Sequence, residues 1–86
     1  MRKIITIERK LLDTDEWEPI EAFSLEDDGS IEGIQGDPVF IKDMKFIDRE
    51  VEGSVTHESH PNVWLRHLAV EYSGPDRRLT VEEESS

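Results

Sequence analysis

The sequence predicts an α+β fold: an antiparallel sheet of four to five strands with one helix over residues 38–51. Three observations carry that prediction. Residues 3–11 alternate between apolar and polar; an Asp-Gly pair at 28–29 separates two further apolar-threaded runs; and Asp37-Pro38 opens a stretch with apolar residues at helical spacing.

The first strand places Ile5, Ile7 and Leu11 on one face and Ile4, Thr6 and Glu8 on the other. Leu12 through Glu16 break the alternation and turn the chain. Residues 18–26 and 30–35 then read as two antiparallel strands around Asp28-Gly29, because glycine adopts positive φ at no steric cost and such a pair favours a hairpin. Pro19 near the start of the second strand lacks a ladder donor, which suits a strand edge or a strand's first residues.

Asp37 followed by Pro38 makes a good helix start, an Asx cap followed by a residue whose φ is already set. Phe40, Ile41, Met44, Ile47 and Val51 recur at helical spacing up to Gly53, although Phe46 falls off the stripe. Residues 54–58 read as a short β-like link. Residues 62–72 fit either element. Trp64, Leu65, Leu68, Ala69 and Tyr72 describe a helical face, whereas Trp64, Leu68, Val70 and Tyr72 describe a strand face with Arg66 as the exception. The content of Val, Trp and Tyr tilts the reading to strand. A turn at Ser73–Asp76 leads to a last strand at 79–81, so residues 1–81 form a single small domain and 82–86 an acidic tail.

The chain has 86 residues, no cysteine and a formal net charge of −11. A domain of this size buries only about 60–65% of its unfolded surface and is stable by about 5–8 kcal/mol. Without thiols, disulfides, thiolate zinc sites and cysteine nucleophiles are excluded. No apolar run approaches the ~20 residues that span a bilayer, and the basic start meets Glu8, Arg9 and Lys10 before a signal-peptide core forms. The expectation is a cytoplasmic protein with no cofactor and no membrane partner.

The charge is unevenly spread. Between Asp13 and Asp37 lie ten acids and no Lys or Arg, while residues 1–12 carry four cations against Glu8 alone. Trp17, Ile20, Phe23, Leu25, Ile31 and Ile34 are threaded through those acids, which an unfolded acidic segment would lack. Such a balance argues against direct nucleic-acid binding, since phosphates are anions too. Arg2, Lys3, Arg9 and Lys10, with Arg77 and Arg78 if the first and last strands are neighbours, make a small positive edge that reads as solvated strand flanks.

His57-Glu58-Ser59-His60 with His67 is the one cluster resembling a metal or catalytic set. Its spacing is not the helical His-Glu-x-x-His, and Pro61 interrupts it, so it reads as loop histidines without a metal. Asp13, Asp15 and Asp27-Asp28-Gly29 lack a calcium loop's closing glutamate. Twenty-one acids make chance carboxylate pairs inevitable, and a fold this small has little room for a catalytic pocket. The expectation is a protein that is not an enzyme.

What remains is a binder. Asp15, Glu16, Trp17, Glu18, Glu21, Glu26, Asp27, Asp28 and Glu32 are the candidate contact residues for a basic protein surface. The partner class this suggests is a nuclease or nucleic-acid-binding protein, because carboxylates on a rigid sheet can copy phosphate spacing. Antitoxins, immunity proteins and phage-encoded inhibitors of defence are roles that use such a binder. Trp17, rimmed by acids, reads as an aromatic anchor. The alternative is a non-catalytic accessory subunit or a homodimer paired through strand edges at Pro19 or at residues 77–83, with acidity serving solubility.

Overall fold

Alternation along the first strand turns directly into burial: Ile5 and Ile7 are fully inside, and their neighbours are half exposed. The computed structural model describes residues 2–84 and is an α+β structure. Its order is β1 (Arg2–Lys10), β2 (Trp17–Leu25), β3 (Ile31–Gln35), α1 (Val39–Lys42), β4 (Phe46–Asp48), β5 (Gly53–Val55), α2 (Pro61–Glu71) and β6 (Arg77–Glu84). Four strands form an antiparallel sheet in the order β3-β2-β1-β6, and β4 and β5 form a separate hairpin.

One face of the sheet carries Ile5, Ile7, Phe23 and Leu25. Ile41, Val55, Trp64, Leu65 and Leu68 cover it from α1, the small hairpin and α2. Trp64 is the centrepiece: wholly buried, edge-on to Phe23 at 6.3 Å, with Nε1 donating to the Met44 carbonyl at 3.0 Å. The opposite face carries Ile4, Thr6, Ala22, Ser24, Thr80 and Glu82, of which Ala22 and Ser24 are buried. No helix among the described residues is long and apolar enough to cross a membrane.

The hairpin at 28–29 forms as its sequence predicts, with Gly29 at φ 89°. Pro19 sits where β2 lacks β3, because the β2–β3 register runs only from Ala22 to Leu25, and its carbonyl accepts from Gln35 Nε2 at 2.9 Å. A bulge at Ile20 shifts the β1–β2 register between Ile7↔Glu21 and Glu8↔Pro19.

Three expectations need correction. The helix over 38–51 is limited to Val39–Lys42. Its cap is Pro38, where Asp37 was expected, although Asp37 Oδ1 accepts the Val39 N–H at 3.1 Å; Met44 then turns its carbonyl to Trp64. From Phe46 the period becomes two: Phe46 and Asp48 face inward and Ile47 is 77% exposed. Gly53 opens β5 and does not cap a helix.

Residues 61–71 are helix, not the strand that composition favoured. Pro61 occupies the first turn, Trp64, Leu65 and Leu68 bury one face, and Arg66 lies on the outside. Lastly, the acids expected in a tail from residue 82 are strand through Glu84. Glu82, Glu83 and Glu84 pair with Ile4, Lys3 and Arg2 as the end of β6, and residues 85–86 lie outside the described residues.

Candidate docking surface

β2 divides the acidic segment between two ends of the sheet. Asp13, Asp15 and Glu16 lie in the β1–β2 loop, and Glu26, Asp27 and Asp28 in the β2–β3 turn. Nine strand residues separate the two groups, about 26 Å at the usual rise. The predicted contact residues therefore form two groups and no single surface.

At the loop end the acids meet cations of this same chain. Glu18 Oε2 accepts from Arg9 Nε at 3.0 Å, and Asp15 lies 3.9 Å from Lys10 Nζ. The Arg78 guanidinium stacks 4.3 Å from the Trp17 ring centre while its Nε donates to Glu8 at 2.9 Å. Thus one face of the ring expected to anchor a partner is covered by Arg78 of β6. Glu21 stands apart on the helix side beside Ile7. Partial burial, then the neighbouring Asp37, raises its carboxyl above the ordinary 4.5.

The turn end is built differently. Asp28 Oδ1 accepts from both the Ser30 N–H (2.9 Å) and its hydroxyl (2.7 Å), which holds the Asp28 carboxyl below its ordinary value and ionised. Glu26 and Ser30 close the loop through backbone hydrogen bonds. Beneath it His57 Nδ1–H donates to the Gly29 carbonyl at 2.6 Å, and the buried imidazole sits edge-on to Trp64 at 5.6 Å. The turn is thereby clamped to the core tryptophan through one residue.

Around this clamp stand Glu26, Asp27 and Asp28, with Glu32 opposite Ser24 and Glu58 beside Gly29. Arg2 lies between Glu26 (3.6 Å) and Glu84 (3.3 Å), so the end of β6 adjoins the group. Sequence reasoning missed Glu58 and Glu84; the strand neighbours predicted from the basic edge were the signal that would have brought Glu84 in.

The histidines go to three different places. His57 is buried under the turn, contrary to the expectation of a surface-loop residue. His60 is exposed beside Ser59, and His67 Nε2 contacts Asp48 Oδ2 at 2.9 Å while stacking on Phe46 at 5.3 Å. Asp48 Oδ1 in turn accepts the Glu50 and Val51 N–H groups, so this pair fixes the β4–β5 turn to α2. Ile47, Arg49, Arg66 and Val70 flank it around an open groove of about 470 Å³.

Compared with protein-family models, with curated proteins and with solved structures, the chain matches none.

Proposed function

We propose that the protein is a non-catalytic binding module that docks on a basic surface of another protein through the β2–β3 turn. The observation that supports this reading is the clamp: Glu26, Asp27, Asp28, Glu32 and Glu58 surround a turn tied to the buried core by His57 and by the Asp28–Ser30 contacts. Acids held in place lose little side-chain and loop entropy on binding, which is where flexible charged surfaces forfeit affinity. Their field also steers a cationic partner and speeds encounter at low salt.

In this reading the carboxylates stand in for nucleic-acid phosphates, and the partner is a nuclease or a DNA- or RNA-binding protein whose groove they block. Trp17 and Glu18 already face Arg78 and Arg9 of this chain, as Glu26 faces Arg2, so the clamp and not a lack of internal cations sets the turn apart.

The test uses the immobilised protein to capture a basic protein from lysate at low salt. The quadruple variant E26Q/D27N/D28N/E32Q keeps its melting transition and loses capture by roughly tenfold or more, as expected for several charge contacts. Equal capture by the quadruple variant, or capture that persists in high salt, overturns the reading.

A further inference from the structure

We infer that two copies of the chain pair through β6, antiparallel and with Thr80 on the two-fold axis, to make a continuous eight-stranded sheet. β6 is an edge: it pairs with β1 on one side only, over eight consecutive residues. It contains no proline, glycine or bulge, and only its charged side chains guard it against a further strand. The other edge, β3, has five residues with Gly33 among them and an irregular register.

The charges of β6 select its partner. Its sequence is Arg-Arg-Leu-Thr-Val-Glu-Glu-Glu, cationic at the start and anionic at the end. A parallel copy would set like charges side by side, which destabilises a sheet. An antiparallel copy reverses the order and brings opposite charges together. A two-fold axis perpendicular to the sheet keeps helix-side residues opposite helix-side residues, so the axis passes through a residue.

With Thr80 on the axis, Arg77 faces the second copy's Glu83, Arg78 its Glu82, and Leu79 its Val81. Arg78 lies over the Trp17 ring with its Nε on Glu8, so it turns from those contacts to meet the second copy's Glu82. The single like-charge opposition, Asp76 with the second copy's Glu84, falls at the strand ends, where Glu84 already has Arg2. Moving the axis to Leu79 leaves no ion pair across the seam. Moving it to Val81 keeps only Arg78 against the second copy's Glu84 and sets Glu82 and Glu83 against its Thr80 and Leu79. The register centred on Thr80 therefore makes the most opposite-charge pairs.

An apolar groove of about 430 Å³ runs beside this edge on the helix side, lined by Leu65, Ala69 and Val81 with Lys3, Asn62 and Arg66 at its rim. Val81 is 45% exposed there. Pairing places the second copy's Leu79 and Val81 against this groove and supplies the apolar contact that a bare strand junction lacks. The β2–β3 turn lies two strands away, and of the acids grouped with it only Glu84 enters the seam, so both surfaces can be occupied in one copy.

Sedimentation of the full chain across micromolar to near-millimolar concentration tests the pairing. The unmodified chain sediments as a dimer. E82K/E83K and R77E/R78E each set like charges across the seam and weaken the dimer by roughly tenfold or more. Their equimolar mixture restores it, because every crossing pair is then again of opposite sign. Because Arg78 also packs on Trp17, the R77E/R78E chain is first checked for a native melting curve, and T80C gives a second measurement should it fail. The chain has no other cysteine, and residue 80 faces its own copy, so mild oxidation of T80C yields a covalent dimer. A monomer throughout the range, a dimer unaffected by either charge variant, or a T80C chain that does not cross-link overturns the inference.

Discussion

Two side chains do more for the fold than their polarity suggests. His57 fills a buried position between the hairpin turn and Trp64, and its one hydrogen bond satisfies a carbonyl that the turn would otherwise leave unpartnered in the interior. Asp48 accepts from two backbone N–H groups with one oxygen and contacts His67 with the other. The hydrogen bond with His67, followed by that from Val51, pulls the Asp48 carboxyl below its ordinary 3.8. The consequence for stability has a definite sign. As pH falls, the unfolded chain takes up a proton at the ordinary value while the folded chain still resists it. The Asp48 contribution is therefore complete above that value and is lost as pH drops through the depressed one. Urea midpoints followed from neutral pH down through the carboxylate range should fall more steeply for the unmodified protein than for D48N. Parallel curves would show that Asp48 gains nothing from its partners.

At the scale of elements, the hairpin was legible and the α1–β4 region was not. Asp28-Gly29 has a local requirement, positive φ, that only a few residues meet, so its sequence determines its geometry regardless of context. The stretch after Asp37 has no such marker beyond its first turn. Ile41, Met44 and Val51 pack inward as a helix would demand, but so does Phe46, which a helix would turn outward. That misfit in the stripe, together with the Asp48-centred turn, was the readable sign of a break. Residues 61–71 erred the other way: Pro61 at a helix start was a stronger signal than the strand preference of Val, Trp and Tyr. The hairpin also bears the sharpest test. A Cβ on Gly29 would stand 2.4 Å from the His57 carbonyl oxygen and 2.8 Å from the Glu58 Cα, both backbone, at a φ of 89°. Gly29→Ala should cost about 2–4 kcal/mol through strain and the displaced clamp, a large part of a total of about 5–8 kcal/mol. Gly53→Ala, with no atom within 4 Å, is the matched control and should change the denaturation midpoint little.

For the whole molecule, the sequence showed that acidity is local but not that β2 would carry it to opposite ends, because a run of charge has no direction until strand pairing fixes one. The separation of about 26 Å along β2 is some three Debye lengths at physiological salt, where the two acidic ends act independently. Near 0.01 M salt the Debye length is about 30 Å, and repulsion reaches from end to end. With a net charge of −11, the folded chain is then opposed by its own field, more than an expanded chain is. Adding salt from that point should raise the melting temperature until the two ends no longer interact. Docking through the β2–β3 turn responds oppositely, because the same ions screen the attraction to a cationic surface. One salt series, read by thermal melting and by partner capture, should therefore give curves of opposite slope. If melting temperature and capture fall together, the acids are held by cations within the fold more strongly than Arg2, Arg9 and Lys10 suggest, and the docking reading fails with them.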